Sequence, residues 1–348
     1  MSAGNCCPQK SNFCCRSAAI KSGRHPVAFI PVSTSLSIGE RLAAWRVRLG
    51  FGRLNYRVKP GLYAVGRPGP RSEVLVSANY KLSFDKLRSS LAGQDLWILV
   101  LDTAGINVWC AAGKGSFSVA EIARRIEASD LRKVVEHRRL ILPQLAAPGV
   151  AAHRLPGETG FRVIYGPVRA ADLSRFLAND RRADPDMRRV TFSTGERLTV
   201  ALIELVRVFK YFFVFALVLL AFLLLSGSLC PASVLRGGLP VLGALLAGTL
   251  LVPLLLPILP FRPFILKGWL AGLIWAFFMG LWLQPGFWGW LACLAALPVL
   301  TALVALNFTG STTFTSQSGV NLEIKLYLRP AGILILLGLV ALALELFL

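Results

Sequence analysis

The stretch that decides the fold is LWILVLDTAGINVWCAAGKG, Leu96–Gly115. It opens with a continuous apolar run of strand length, which is typical of a parallel strand buried on both faces of a sheet. A polar turn follows, and Asn107 then stands where it can cap a short helix that Gly113 would end. The pattern predicts a buried strand, a loop and a short helix that carries one cysteine, Cys110.

Strand and helix patterns alternate on both sides of this stretch. Strand patterns are EVLVSANY (73–80), RLILPQL (139–145) and GFRVIYGPV (160–168). Helix patterns are SFDKLRSSLAG (83–93), with Ser83 as cap, and SVAEIARRIEAS (118–129), with Ser118 and Glu121 as a capping box. Such alternation predicts an α/β domain with a mainly parallel sheet, in which ligands bind beyond the carboxyl ends of the strands. The cysteine follows such a strand end.

Composition divides the chain into a basic part and an apolar part. Of its 348 residues, 55% are hydrophobic and the mean hydropathy is +0.60, which indicates membrane segments. Only six of the 38 Lys and Arg, and two of the 18 Asp and Glu, come after residue 208. Beside a membrane domain, the basic excess favours contact with anionic lipid. No zinc-finger, RNP or recognition-helix pattern supports nucleic-acid binding.

Five apolar segments approach the ~20 residues that a membrane-spanning helix needs. They are residues 209–229, 239–261, 264–283, 287–306 and 331–348. Basic residues cluster before the first, between the second and third, and before the fifth, which places these ends in the cytosol. We therefore expect a multi-pass protein of the cytoplasmic (inner) membrane, with residues 1–208 cytosolic and the C-terminus outside. The nearly uncharged spans favour an anchor over a transport path.

Three regions follow: residues 1–50, a soluble domain over 51–200 and a transmembrane domain over 201–348. Residues 1–35 are expected to be flexible, and their two cysteine pairs suggest either a disordered tail or a soft-metal site. Ser37-x-x-Glu40 predicts a short basic amphipathic helix that lies on the membrane or packs on the domain. The polar segment Asn307–Lys325 is expected to be a cytosolic loop that can contact the soluble domain.

Cys110 admits four interpretations. A phosphate loop fails, because AAGKGS departs from the Gly-x4-Gly-Lys-Ser/Thr pattern at two positions. A nucleophile would need a distant base from among His25, His137 and His153. A buried structural thiol is common for cysteine. A cofactor ligand is the fourth: Trp109 flanks the thiol and small neighbours, Ala111 and Ala112, leave room beside it. One cysteine cannot hold zinc or an iron–sulfur cluster, but it can be an axial ligand to a metal inside a macrocycle.

GINVWCAAGKG (105–115) resembles the signature of the mercury-methylating corrinoid protein family, HgcA. Other segments are also similar to that family: PGLYAVG (60–66), VLVSANYKLSFDKLR (74–88), HRRLILPQLAAPGVAAH (137–153), GFRVIYGPVRA (160–170) and FTGSTTFTSQSGV (308–320). The resemblance covers roughly residues 55–330. The soluble part is also similar to the corrinoid domain of the corrinoid iron–sulfur protein, where this cysteine is not expected.

The resemblance implies a Rossmann-like, cobalamin-type corrinoid-binding domain, followed by an all-α transmembrane domain. It implies that Cys110 binds cobalt from the lower face of the corrin ring. A methyl group from the folate-linked one-carbon pathway would pass from cobalt to Hg(II), and a ferredoxin-like partner with [4Fe-4S] clusters, HgcB, would supply electrons. The alternatives are a corrinoid methyl carrier with another acceptor and a non-enzymatic membrane scaffold or sensor.

The expected cofactor site extends beyond the cysteine. It comprises the helix residues Asn107, Val108, Trp109, Cys110, Ala111, Ala112, Gly113 and Lys114, and the strand-end residues Ser77, Asn79 and Tyr80. Lys114 is a nearby cation that would favour the thiolate form of Cys110. His137 and His153 are expected to be structural.

Overall fold

The computed structural model describes residues 18–22, 25–308 and 317–347. They form two compact units, one comprising the residues up to Val47 with Gly52–Arg189, the other Arg48–Phe51 with Val190–Leu348. The N-terminal cysteine pairs Cys6, Cys7, Cys14 and Cys15 lie outside the described residues, so the two interpretations of them stay predictions.

The first unit is built on a seven-stranded mixed sheet that is mainly parallel. Its strands are β1 (Ala18–Ser22), β2 (His25–Val32), β3 (Gly61–Val65), β4 (Val74–Ala78), β5 (Leu96–Leu101), β6 (Arg139–Leu142) and β7 (Arg162–Tyr165). Their order across the sheet is β1-β2-β3-β5-β4-β6-β7. Neighbours from β5 to β7 are all parallel, whereas β3 runs antiparallel to β5. The predicted α/β class is confirmed.

Helices cover both faces of this sheet. They are α1 (Ile38–Arg48), α2 (Lys81–Ser89), α3 (Val108–Lys114), α4 (Val119–Ala128), α5 (Leu131–Val134), α6 (Leu155–Thr159) and α7 (Leu173–Ala178). All six residues of β5 are buried. Trp97 and Leu99 face the core beneath α3 to α6, while Ile98 and Val100 face the core beneath α2 and α7. The apolar run in the opening stretch is thus a central strand buried on both faces, as predicted.

Two helix starts illustrate how the predicted caps fare. The Ser118 side chain accepts the N–H of Glu121 and begins α4, as the capping-box pattern predicts. Ser83, in contrast, is not the cap of α2, because that helix already begins at Lys81 after Tyr80. The backbone N–H of Lys81 instead donates to the carbonyl oxygen of Tyr56, so a tertiary contact fixes this helix start.

The N-terminal region is more ordered than its composition suggests. Residues 18–22 and 25–32 form β1 and β2, where the sequence predicted an irregular segment. The physical reason is tertiary: β2 pairs with β3, and the Phe29 ring packs edge-on against Trp97 at 5.4 Å. The amphipathic helix predicted after Ser37 is present as α1.

The described residues of the second unit include five helical segments that are long and apolar enough to cross a membrane: Thr194–Leu225, Pro231–Leu254, Phe264–Leu283, Phe287–Leu306 and Gly319–Glu345. The helices themselves are α8 (Thr194–Leu225), α9 (Pro231–Leu246), α10 (Val252–Leu254), α11 (Phe264–Leu283), α12 (Phe287–Leu306) and α13 (Gln317–Phe347). A π-helical turn, Ala247–Leu251, joins α9 to α10. The third and fourth predicted spans match α11 and α12 at both ends.

The other three predicted spans need correction. The first begins at residue 194 and not 209, and the fifth helix begins at 317 and not 331. Both helices exceed 30 residues, so at ~1.5 Å per residue they are longer than a ~30 Å hydrocarbon layer. Hydropathy marks only their apolar portions. The second span occupies 231–254 rather than 239–261, because the helix ends before Pro257 and Pro260.

The expected cytosolic loop Asn307–Lys325 is therefore only partly a loop. Residues 309–316 lie outside the described residues, but Gln317–Lys325 form the first turns of α13. Glu323 in these turns is buried and accepts the backbone N–H of Ile265 at 3.1 Å. Lys267 is buried as well, and its ammonium donates to the carbonyl oxygen of Leu256 at 2.7 Å. Both are tertiary contacts that hydropathy cannot show.

Helices α11 and α12 pack closely through small residues. A methyl group on Gly268 would stand 2.5 Å from the Cα atom of Ala302, and one on Gly272 would stand 2.5 Å from the Cα atom of Pro298. Two glycines four residues apart let two helix backbones approach in an apolar environment. This pair forms the centre of the second unit.

Candidate functional site

The candidate site lies where the chain reverses its direction across the sheet. From β4 the chain passes through α2 to β5 on one side, and from β5 it passes through α3 and α4 to β6 on the other side of β4. Crevices at such a switch point, beyond the carboxyl ends of parallel strands, are the usual ligand sites of open α/β sheets.

A cleft of about 320 Å³ occupies this position. Its walls come from the end of β4, from α2, from the start of α3 and from the segments that follow β6 and β7. Its lining residues include Ser77, Ser83, Lys86, Leu87, Asn107, Val108, Trp109, Pro143 and Gly166. The lining is mainly apolar with a few polar side chains, which is typical of cofactor sites.

The short helix α3 places the cysteine beside this cleft. The side-chain oxygen of Asn107 accepts the backbone N–H of Cys110 at 2.8 Å, which is the cap that the sequence predicts. The helix continues through Gly113 to Lys114, and Gly115 ends it with a φ of 78°. Cys110 is exposed, and the adjacent Trp109 is half-exposed at the cleft wall. Cys110 is not among the residues that line the cleft, but its thiol is exposed on the same short helix that contributes Val108 and Trp109 to the lining.

The exposure of Cys110 excludes one of the four sequence interpretations of this residue. A buried structural thiol is wrong, because the side chain lies on the surface of the helix. The role expected for Ala111 and Ala112 also changes. Both are buried, so their side chains point away from the space beside the thiol. Their small size instead lets α3 pack closely on the 3₁₀ segment Gln144–Gly149.

That packing depends on Gly149. A methyl group added there would stand 2.7 Å from the Cα atom of Ala112 and 2.6 Å from the carbonyl oxygen of Phe117. Just after this segment, the Tyr165 hydroxyl donates to the carbonyl oxygen of Val150 at 2.9 Å. Burial raises the pKa of Tyr165, which keeps that hydroxyl a donor. The support beneath α3 is thus backbone packed on backbone.

The loop that leads into α3 is organised by one buried amide. Asn79 is 1% exposed, and its side-chain oxygen accepts from the backbone N–H of Thr103 at 3.1 Å, the Thr103 hydroxyl at 2.8 Å and the N–H of Gly105 at 2.9 Å. Its amide nitrogen donates to Asp102 at 3.1 Å. Ala104 consequently holds a left-handed conformation with a φ of 55°. Glu121 fastens the same loop from α4 by accepting the N–H of Asp102.

The structure separates the predicted strand-end residues. Ser77 lines the cleft together with Asn107, Val108 and Trp109. Asn79 and Tyr80 are buried and do not line it. Asn79 positions the loop, and Tyr80 forms an isolated antiparallel β-bridge with Arg57. Lys114 is exposed at the far end of α3.

Several lining residues were not predicted. Pro143 follows β6, Gly166 follows β7, and Ser83, Lys86 and Leu87 come from α2. The first two lie in the last part of predicted strand patterns, 139–145 and 160–168, so their position near a strand end was a usable signal. The sequence could not show that residues of α2 line the cleft, because this depends on which face of the sheet the helix covers.

His137 is not placed to act as a general base for Cys110. His137 stands at the amino end of β6, where its Nε2 lies 2.8 Å from the carbonyl oxygen of Ser72 and its Nδ1 accepts the N–H of Arg139. The site follows the opposite, carboxyl ends of the strands. Among the described residues there is no group of three or more His, Cys, Asp or Glu side chains that could hold a metal ion. A protein-only metal centre therefore finds no support there.

Comparisons with known proteins find similarity within the first unit. Residues 52–177 match the family model described as CO dehydrogenase/acetyl-CoA synthase delta subunit. This match includes β3 to β7, α3 and the cleft, and it ends before the first apolar helix.

Individual relatives agree with that match. The chain is 32% identical over 127 residues to the acetyl-CoA decarbonylase/synthase complex subunit gamma of Archaeoglobus fulgidus, covering 36% of this chain and 27% of the relative. It is 29% identical over 138 residues to the corrinoid/iron-sulfur protein large subunit of Moorella thermoacetica, covering 39% of this chain and 30% of the relative. The chain thus spans less than a third of the length of these relatives.

Proposed function

We propose that this chain is a membrane-anchored, corrinoid-dependent methyltransferase that forms methylmercury from Hg(II). The observation that carries the proposal is the exposed thiol of Cys110 on a capped helix beside the cleft at the switch point. Similarity to a corrinoid/iron-sulfur protein supports the cofactor class, and the resemblance of residues 105–115 to the mercury-methylating family supports the acceptor.

The residues present fit a corrinoid. A corrin ring already supplies the equatorial nitrogens of its cobalt, so the protein needs to add only one axial donor. Cys110 would be such a donor, and the described residues contain no group of three or more His, Cys, Asp or Glu side chains that could hold a metal ion. Trp109, Val108 and Ser77 would contact the cofactor from the cleft. When bound, the corrinoid supplies a cobalt-bound methyl group for transfer.

The chain's own residues determine how that donor is held. The Asn107 cap fixes the first turn of α3, and Asn79 and Glu121 fix the loop before it. Gly149 sets how closely α3 packs on the 144–149 segment. An axial thiolate is a strong electron donor, and the identity of the axial ligand is a principal means by which proteins tune a macrocyclic metal. Hg(II) is an electrophile, so electron donation from Cys110 would favour transfer of a cobalt-bound methyl group with its electron pair.

The second candidate is a corrinoid methyl carrier with a different acceptor. The relatives named for acetyl-CoA decarbonylase/synthase favour it, since the matched region is shared with them. A non-enzymatic membrane scaffold or sensor is the remaining alternative. We propose the same partners for either enzyme: a ferredoxin-like [4Fe-4S] protein as electron donor and a folate-linked methyl donor.

We further propose that residues 1–208 face the cytosol and that the C-terminus lies outside. Five spanning helices put the two termini on opposite sides, and the basic clusters favour the cytosolic side for the first part. A reporter enzyme fused after Leu348 should give an extracytoplasmic signal. A cytoplasmic signal would show that one helix does not cross.

The function is tested by Hg(II) methylation in anaerobic membranes that carry the full chain and the reducing partner. Cys110→Ala should lose methylmercury formation. Cys230→Ala removes another exposed thiol and is the matched control, which should retain activity. Full activity in Cys110→Ala would refute an essential cobalt–thiolate bond. If the wild-type chain is purified anaerobically and contains neither corrinoid nor cobalt, both enzyme candidates are refuted.

A further inference from the structure

The helix α1 exposes an apolar stripe along its outer face. Ile38 is 78% exposed, Leu42 is 65% exposed and Trp45 is 53% exposed. Their spacing of four and three residues puts them within about 60° of one another around a helix that turns ~100° per residue. Three large apolar side chains on one face of an 11-residue helix make an interaction surface, since scattered exposure would not align them.

Arginines border this stripe on both sides. At the same ~100° per residue, Arg41 and Arg48 lie along one edge of the stripe and Arg46 along the other. Glu40, the acidic residue of α1, lies on the opposite side of the helix. The outer half of α1 is thus apolar at its centre and positively charged at its edges.

The inner face of α1 fixes this orientation. Val47 is 4% exposed, and the Glu40 carboxylate accepts from Lys81 at 3.1 Å and pairs with Arg88. Arg88 is itself buried and donates to the carbonyl oxygens of Ser33 and Ser35. Partial burial raises the pKa of Glu40. The N–H of Ser37 and the two cations together lower this pKa by more, so it lies below its ordinary value. The charged carboxylate keeps the stripe pointing outward.

We propose that α1 is an in-plane membrane helix that docks on anionic lipid. The stripe would lie at the boundary between headgroups and acyl chains, and the bordering arginines would contact lipid phosphates. Helices with Trp and Leu on one face and Arg beside them bind bilayers in this way. A bilayer is the favoured occupant because of this charge complementarity, and because the described part of the chain includes five helices able to cross one. The inference rests on that membrane insertion and not on the corrinoid.

Docking through α1 would orient the candidate site relative to the bilayer. Lys81 and Arg88, which hold Glu40, belong to α2, and α2 also supplies Ser83, Lys86 and Leu87 to the cleft. Helix α2 therefore both contacts α1, the proposed lipid-binding helix, and lines the cleft that would bind the cofactor.

The test uses the full chain in lipid nanodiscs with the photo-crosslinking residue p-benzoylphenylalanine in place of Leu42. After irradiation, mass spectrometry should find lipid attached to residues 38–48 in nanodiscs of phosphatidylcholine with phosphatidylglycerol. The matched control carries the same residue in place of Glu127, which is exposed on α4 over the other face of the sheet, and should acquire no lipid.

Charge variants test the anionic preference. Arg41→Gln and Arg46→Gln should each lower the yield of lipid adduct about fivefold, since an arginine near an anionic surface contributes ~1 kcal/mol. Attachment of residue 42 to a second copy, to the chain's own helices or to a partner protein would overturn the proposal, as would no adduct. A chain that does not enter nanodiscs at all would instead refute membrane insertion. Corrinoid content measured on the same samples reports separately on the proposed function.

Discussion

At the scale of single residues, Tyr56 carries a polar atom that the fold does not use. Its hydroxyl is buried and has no hydrogen-bond partner among the described residues. Burial raises the pKa of Tyr56 to about 12, and the nearby carboxylates of Asp85 and Glu40 contribute in the same direction. The hydroxyl is therefore both unsatisfied and hard to ionise.

Replacing Tyr56 with Phe should raise the stability of the first unit by about 1 kcal/mol at neutral pH, because an unsatisfied buried hydroxyl is costly. The pKa of Tyr56 is raised in the folded state, so the unfolded state ionises more readily at alkaline pH. The free energy of unfolding is therefore unaffected by this group below pH 10 and falls as the pH rises toward 12. Tyr56→Phe should lack this alkaline loss. Thermal unfolding of both proteins between pH 7 and strongly alkaline pH checks this, and a less stable variant at neutral pH would contradict it.

Sequence reasoning reached part of the site at this scale. Asn107 follows directly from cap chemistry, and its hydrogen bond to the N–H of Cys110 confirms it. The direction of Ala111 and Ala112 could not be predicted. A seven-residue helix has too few turns for apolar spacing to set which face is buried. Packing on the 144–149 segment sets it instead, and that segment is about 35 residues away in sequence.

At the scale of elements, α3 rests on a backbone contact that only glycine allows. Gly149→Ala should push α3 away from the 144–149 segment, because the added methyl group would meet backbone atoms of Ala112 and Phe117 closer than 3.0 Å. We expect destabilisation of about 1–3 kcal/mol and weaker corrinoid retention. Gly157→Ala is the matched control, since no atom lies within 4 Å of the added group.

Calorimetry and cobalt content after gel filtration check this prediction. Equal stability and equal cobalt in the two glycine variants would show that α3 does not depend on Gly149. A loss in Gly149→Ala alone would show that the depth of α3 matters for the cofactor.

Helix α13 is fastened to its neighbours by two carboxylates, one in its first turns and one near its C-terminal end. Glu323 accepts the N–H of Ile265 at the start of α11. Glu345 accepts the N–H groups of Gly286 and Gly289 at the start of α12, at 2.7 and 2.9 Å. Each carboxylate thus satisfies the free amides of another helix, a role that capping residues usually perform within their own helix.

Removing one of these contacts should loosen α13. We expect Glu345→Ala to lower the free energy of unfolding of the second unit by about 1–2 kcal/mol, the usual range for a lost cap. Leu342→Ala, on the same helix and half-exposed, should change it by much less. Limited proteolysis of the chain in nanodiscs compares the two variants, and equal cleavage of α13 would contradict the capping role.

The lengths of these helices show what hydropathy does and does not predict. The apolar parts of α8 and α13 were found, but their polar first turns were not. For α8 a signal was present: Ser193, the N-cap, and Glu196, in the first turn, form a capping box. For α13 the first turns read as a polar loop, because the contact that buries Glu323 involves a helix 58 residues away in sequence.

At the scale of the whole molecule, the two units were predictable from different signals. The alternation of strands and helices predicted the mainly parallel sheet, and the concentration of charge before residue 208 predicted the apolar second part. Strand β2 was missed because its partner in the sheet, β3, comes much later in the sequence. Strand β1 was missed with it, because among the described strands β1 pairs only with β2. The match to a known family model covers residues 52–177, which lie in the first unit.

The central claim is that Cys110 provides the axial ligand of a corrinoid. The most direct measurement is anaerobic reconstitution of the full chain with cobalamin, followed by absorption and EPR spectroscopy of the cobalt in wild type, Cys110→Ala and Cys230→Ala. We predict that wild type and Cys230→Ala share one spectrum without nitrogen splitting in the Co(II) EPR signal, and that Cys110→Ala alone differs. Identical spectra in all three proteins, or nitrogen splitting in the wild type, would contradict the account.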